Sequence, residues 1–438
     1  LAWQLDFIRT SLQICTGQQP YPIQINQAVG TQHAASAPDT KFFENAALNI
    51  AETLLQIAIH GQDGSITWLT PQNTGIHYQM RTPGTDLYAG YAGIALFFAA
   101  LAKLNLHPDA ETITRATLRP VQNALMQTGD GQINTGGTSG YGGLVYGLFT
   151  VGRFLQDNTL INTALTATLN FPDNHLLADK TLDVSGGVAG YLLMLLALYE
   201  YTHEKQLLTK MHLCADRLIS QQADNGAWYG HSKIGLAGFS HGAAGITYAL
   251  LRLYRITGDG ALHDAALRGI AYETTLFVPE AGNWRDLREK QSDSDDENPF
   301  MTAWCHGATG IALSRMACLQ FIDDMHLQND ATIALQTTAT MLQQTASFSD
   351  HVCCGNAGRI EALLSAGQLM NTSQHIEKAH FAGQQMVNHA ANNGGYRYAP
   401  GLPRGIITPG FFQGAAGIGY QLLRLVFPDE LPSALLWQ

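Results

Sequence analysis

A chain of 438 residues, 46% of them hydrophobic, is long enough to bury a large core. Its formal charge of -11 at neutral pH argues against a general nucleic-acid binder, which would carry a basic face. Six cysteines (Cys15, Cys214, Cys305, Cys318, Cys353 and Cys354) are no disulfide framework in so long a chain, so reduced thiols in a cytoplasmic setting are the expectation.

In chain order, residues 1–40 read as an N-terminal extension. They start at Leu1-Ala2-Trp3 with no basic region leading into an apolar stretch, so no signal peptide is expected. A start without Met fits a processed product or a piece of a larger protein. The segment from Glu44 to His60 carries Ala47, Ile50, Ala51, Leu54, Leu55 and Ala58 on one helical face. Seven Gly-x-x-Gly starts follow, at Gly90, Gly140, Gly187, Gly242, Gly307, Gly355 and Gly414, each leading into an apolar helix, and successive starts lie 47 to 65 residues apart. That period belongs to repeat architectures, so 41–438 reads as one domain rather than the three its length alone would suggest.

Each unit reads as a helical hairpin. The third has an apolar first helix around Tyr191 to Tyr199. Its second helix carries one stripe (Leu207, Leu208, Met211, Cys214, Ala215, Leu218, Ile219), with Lys210, Asp216 and Arg217 elsewhere. In the fourth, Ile246 to Ile256 and Ala261 to Phe277 flank a Gly258-Asp259-Gly260 turn. Apolar runs such as Val188 to Tyr199 are shorter than the roughly 18 to 20 residues that span a bilayer, so no membrane span is expected. Asp293 to Glu297 reads as a solvated loop. The unit from Gly414 has no room for a full second helix before Gln438. All-α architecture with two nested rings, an α/α toroid of seven hairpins, is therefore expected. The 44–60 helix should close it by packing outside the last inner helix; an open solenoid is the runner-up.

In such a ring the loops entering the inner helices open at one end. They carry His241 before Gly242, Cys305-His306 before Gly307, Cys353-Cys354 before Gly355 and Gln413 before Gly414, with Asp183 four residues before Gly187. Three thiols in one register are read as ligands of a single Zn2+, and three protein ligands leave a fourth position open for chemistry. Helix N-termini favour an anionic centre of this kind. Cys15, Cys214 and Cys318 read as small buried hydrophobes.

With Trp304-Cys305-His306-Gly307, Cys353-Cys354-Gly355 and Ser240-His241-Gly242, the chain resembles the lanthionine synthetase cyclase family between about Tyr88 and Leu425. More narrowly it resembles the C-terminal cyclase domain of class II synthetases, the bifunctional dehydratase-cyclases. The resemblance implies an α/α toroid, zinc held by Cys305, Cys353 and Cys354, and an active site lined by Asp183, His241 and His306. The substrate it implies is a dehydrated precursor peptide, whose cysteine thiol adds to dehydroalanine or dehydrobutyrine to give a thioether ring. The implied partner is an attached or separate dehydratase domain. Two departures stand out. Class I cyclases have an arginine four residues before the first cysteine, where this chain has Met301, and class II enzymes often have Asp where it has Ala89. The expected roles are His306 as enolate stabiliser or acid, His241 as base toward the incoming thiol, and Asp183 orienting or charging a histidine. The alternative is a glutathione- or peptide-binding toroid with structural zinc and no cyclase activity.

Overall fold

The computed structural model describes residues 40–438 apart from 74–77, 127–133, 231–232, 289–299, 345–348, 400–401 and 403–405. Cys15, nearly all of the extension and the acidic run at 293–297 lie outside the described residues. In chain order the helices are α1 (Thr40–Gln56), α2 (Tyr91–Lys103), α3 (Ala110–Met126), α4 (Tyr141–Phe154), α5 (Asn158–Asn170), α6 (Asp173–Ala178), α7 (Val188–Thr202), α8 (Gln206–Ser220), α9 (Ala243–Thr257), α10 (Gly260–Thr274), α11 (Ala308–Cys318), α12 (Met325–Gln343), α13 (Asn356–Leu369), α14 (Ser373–Asn392) and α15 (Ala415–Val426). Strands among the described residues form only short antiparallel hairpins. None of the described helices is long and apolar enough to cross a membrane.

Each of the seven glycines found in the sequence is the N-cap of an inner helix: α2, α4, α7, α9, α11, α13 and α15. Their purpose is space rather than capping, since a glycine has no side chain to accept from the first helical N–H groups. The entering loop lies directly over the first turn. A Cβ at Gly355 would strike the carbonyl of His351, and one at Gly414 the carbonyl of Gly410. Gly307 alone among the seven caps has a left-handed φ, +77°.

Successive inner helices pack side by side, and α15 returns to α2, so the ring is closed and the open solenoid is ruled out. Helices α3, α5, α8, α10, α12 and α14 each pack outside their own inner partner, and α1 covers α15 as expected, although it ends at Gln56, short of the expected His60, where Ile59-His60 pairs with Ile66-Thr67 as a strand. The inner layer is apolar because it has no wet side: every residue of α7 from Val188 to Leu198 is buried. Two local expectations need correction. Lys210, placed off the stripe of α8, is buried, and its ammonium is satisfied by the Phe171 carbonyl and by Asp173, both at 2.6 Å. The helix expected to run to Phe277 stops at Thr274, because Phe277-Val278 pairs with Asn283-Trp284 and Pro279 cannot continue a helix.

The bore of the ring is filled. Residues 427–438 fold back into it and are met from several sides. Tyr146 of α4 donates to Gln438 O at 3.2 Å, Tyr248 of α9 to Leu436 O at 3.0 Å, and Tyr420 of α15 to Pro432 O at 2.9 Å. Arg252 donates to the carbonyls of Leu436 and Trp437, and Arg424 to that of Leu431. Trp437, fully buried, stacks on Phe239 and lies 6.2 Å from Trp304, the residue before Cys305.

A buried ion pair joins the inner helices α13 and α15. Arg424 Nη2 donates to Glu361 Oε1 at 2.8 Å, with both side chains almost wholly inaccessible. An unpaired buried carboxylate is far costlier than the pair is stabilising. Arg424→Met is expected to lower unfolding free energy by about 3–5 kcal/mol, and Arg424→Met with Glu361→Leu to recover most of it. Urea unfolding midpoints of the two variants check this.

Candidate metal centre and its surroundings

Because the inner helices all start at one end of the ring, their entering loops meet there. Main-chain hydrogen bonds join neighbours: Tyr88 N to Thr138 O, Thr138 N to Ser185 O, Ser185 N to Ser240 O, Phe239 N to Trp304 O, Cys353 N to Phe412 O, and Phe412 N to Tyr88 O, at 2.8–3.3 Å. The loop with Cys305 is further held by a tight turn (Ala303 N to His306 O, 3.1 Å) and by Asn283, whose Oδ1 accepts from Ala308 N at 3.0 Å. The loop with Cys353 and Cys354 rests on buried Asp350, which accepts from Asn356 Nδ2 at 2.9 Å and from Arg397 Nη2 at 2.8 Å.

These loops bring three sulfurs together. Cys305 Sγ is 3.2 Å from Cys354 Sγ, Cys354 Sγ is 3.4 Å from Cys353 Sγ, and all three lie within 4.8 Å of one another. A disulfide would need about 2.05 Å. Three sulfurs at ~2.3 Å from one tetrahedral ion would stand roughly 3.8 Å apart, so small outward shifts of the sulfurs would accommodate it. Soft thiolates are the donor set for zinc-like ions. The trio therefore fits a metal, and among the described residues no fourth His, Cys, Asp or Glu joins it. Cys305 and Cys353 are buried, whereas Cys354 is half-exposed, which leaves an approach from that side. Hydrogen bonds from Cys305 and then Cys353 hold the Cys354 thiol well below the ordinary range.

Asp183, His241 and His306 come to the same end. His241 Nδ1 is 2.9 Å from Asp183 Oδ2, while the other carboxylate oxygen of Asp183 accepts from Gly186 N at 2.7 Å. The carboxylate both braces its own turn and fixes the histidine proton on Nδ1, leaving Nε2 free to accept. The His241 and His306 rings stack with centroids 5.3 Å apart. His306 is buried, and neither ring nitrogen has a protein partner. Burial first, and the Arg288 guanidinium second, push its pKa down to about 3, so the imidazole is neutral. Gln413 is an exposed loop residue whose carbonyl accepts from Thr408 Oγ1, and it contributes no side chain to the cluster.

Sequence reasoning missed four neighbours. Tyr88 lies parallel to Phe412 at 5.2 Å; burial first, and the nearby Cys353, Cys354 and Cys305 thiols after it, push its phenol far up, so it stays protonated. It stands two residues before Gly90, the same register as Cys305 and Cys353 before their glycines, and that signal was available. Arg288 donates to Asp286 at 2.5 Å and reaches Met301 Sδ at 3.3 Å, so a cation comes to the Met301 position from elsewhere in the chain. Burial is the largest single influence on the Asp286 carboxyl and works to raise its pKa, but the hydrogen bonds and charge of Arg288, together with the neighbouring His306, hold it below its usual range. His351 accepts from Cys354 N at 3.3 Å, and Arg359 lies beneath the cysteine loops.

Among solved structures, nisin cyclase superposes with a TM-score of 0.61 at 16% identity, covering 90% of this chain and 99% of that one. An α-mannanase from Bacteroides thetaiotaomicron gives 0.47 at 10% identity, covering 89% and 96%. An unsaturated glucuronyl hydrolase gives 0.45 at 14%, covering 89% and 92%. The first likeness establishes the α/α toroid. The profile of lanthionine synthetase C-like proteins matches residues 83–436, most of the sequence and all three cysteines, and this chain therefore belongs to the lanthionine synthetase C-like family.

Proposed function

We propose that the protein is a lanthipeptide cyclase, closing thioether rings in a dehydrated precursor peptide, with residues 41–438 as the cyclase domain. The observation that carries this reading is the placing of three clustered thiols beside a carboxylate-oriented histidine and a second, buried histidine with both nitrogens unpartnered. A zinc ion held by Cys305, Cys353 and Cys354 would ionise the incoming cysteine thiol at its open position, where a free thiol of pKa about 8.5 is mostly protonated. A cytoplasmic setting, and a dehydratase domain attached or separate, go with this reading because the substrate must first be dehydrated.

The residues of the chain account for the proton movements. His241 Nε2 takes the S–H proton, and Asp183 stabilises the imidazolium that results. The substrate sulfur forms its bond to the β-carbon of the dehydro residue, and the displaced π electrons become an enolate. A neutral His306 is suited to hydrogen-bond the enolate oxygen through N–H. The proton taken up by His241 returns to the α-carbon, so the reaction is a net addition with nothing lost.

A structural metal in a binding scaffold would need a fourth protein ligand, which the cluster lacks among the described residues. Ring closure leaves peptide mass unchanged. The test is therefore loss of alkylatable cysteine in a dehydrated, cysteine-bearing peptide incubated with the zinc-loaded protein. Persistence of the free thiol would remove the proposal. His306→Ala is expected to keep a full complement of metal and to slow ring closure roughly 10²- to 10³-fold. Metal analysis beside the alkylation assay checks both halves.

A further inference from the structure

Six of the seven junctions between entering loops are bridged by main-chain hydrogen bonds. The seventh joins the loop of Cys305 to the loop of Cys353 and Cys354, and among the described residues no such bond crosses it. The metal ligands thus sit astride the one seam that the backbone leaves open. Arg359, in the first turn of α13, crosses that seam. Its Nε donates to Thr302 O at 2.8 Å on one loop, its Nη2 to Cys354 O at 3.2 Å on the other, and its Nη1 to Asn356 Oδ1 at 3.1 Å.

Arg359 is 4% exposed. Burying a cation is costly unless nearby charge offsets it. Three thiolates around a divalent cation carry one net negative charge, and an incoming thiolate makes two. A fixed positive charge behind the ligand loops offsets that excess.

We infer that Arg359 is a positioning residue of the metal centre: it latches the two ligand-bearing loops together and supplies the buried charge that lets three thiolates share one ion. The inference rests on the zinc site of the proposed function but not on cyclisation. Arg differs from Lys here because a planar fork reaches three acceptors at once, whereas an ammonium offers only a point charge.

The experiment compares Arg359→Gln, Arg359→Lys and the unaltered protein. Zinc affinity is measured by competition with a chromophoric chelator, and cobalt(II)-loaded samples report the thiolate-to-metal charge-transfer band. Thermal unfolding of the metal-free proteins records any change in the fold itself. Loss of a residue that supports metal ligands costs about 10- to 100-fold in affinity, and that range is expected for Arg359→Gln, with a shifted cobalt band. Arg359→Lys should fall between, with a band close to that of the unaltered protein. Unaltered affinity and spectrum in Arg359→Gln overturn the inference, and a lysine variant as weak as the glutamine one overturns its charge component. If Arg359→Gln does not fold, the lysine variant decides: zinc affinity equal to the unaltered protein rejects the latch. An unaltered protein that takes up no zinc rejects the proposed zinc site itself, whereas one that binds zinc but closes no ring rejects only the cyclase reading and leaves Arg359 to be judged by affinity.

Discussion

Cys354→Ala is expected to drop bound zinc from one ion per chain to almost none and to slow ring closure at least 10³-fold, about 4 kcal/mol of barrier. Two remaining thiols cannot give the three-point hold that keeps an ion on the protein while one position stays open. Cys354 is also the one residue of the three that is not fully buried. The fold should survive, because the loop is held by its main chain, by Asp350 and by Arg359 rather than by the sulfur. Cys354→His is the sharper companion. It restores a donor in place of the sulfur but removes one negative charge, so zinc should return while ring closure stays slower than in the unaltered protein. Elemental analysis, circular dichroism and thiol alkylation together read these outcomes. Full activity in a zinc-free Cys354→Ala protein would detach the thiols from the chemistry altogether.

What the sequence revealed of this arrangement, and what it hid, follows from the length of the contacts. The entering glycines are legible because backbone packed on backbone leaves no room for a Cβ, and that constraint writes one residue type at one register seven times over. Once the register is known, Cys305 and Cys353 fall in equivalent places and Cys354 beside them. The role of α1 is legible for a similar reason: a helix with one apolar face and no hairpin partner matches an inner helix with no outer partner. Arg288 and Arg359 are not legible. Each reaches the centre through a long side chain whose direction is set by loops folded elsewhere; Arg288 lies outside the repeat, and Arg359, although in the first turn of α13, finds its acceptor Thr302 O 57 residues away. Lys210 misleads because a buried ammonium depends on acceptors 37 and 39 residues away, which helical periodicity cannot report. The filling of the bore is hidden most completely. Residues 427–438 show neither helical nor strand period, and nothing local says that their apolar side chains belong at the centre of the ring.

That hidden segment yields the other large expected effect. Trp437 is fully buried among Tyr146, Phe239 and Trp304, and replacing such a ring by alanine in a packed core costs about 3–5 kcal/mol. Trp437→Ala should lower the unfolding free energy by that amount. Removal of residues 428–438 should go further and abolish cooperative unfolding. It would strip the carbonyl partners from Tyr146, Tyr248, Tyr420 and two arginines while opening the centre to water. Trp437→Phe separates packing from hydrogen bonding. The Trp437 indole N–H is buried without a protein partner, so phenylalanine gives up ring volume but also removes an unsatisfied donor, and should cost well under half of what alanine does. The same substitutions reach the chemistry through Trp304, whose carbonyl anchors one loop junction and whose ring lies tilted against Trp437 at 6.2 Å, next in sequence to Cys305. At a temperature where Trp437→Ala is still fully folded, its ring-closing rate should therefore be reduced, and Trp437→Phe should sit between it and the unaltered protein. Unfolding curves paired with alkylation rates at 10 °C decide the matter. Undiminished ring closure in folded Trp437→Ala would confine the tail to holding the ring together, with no part in supporting the loop that presents Cys305.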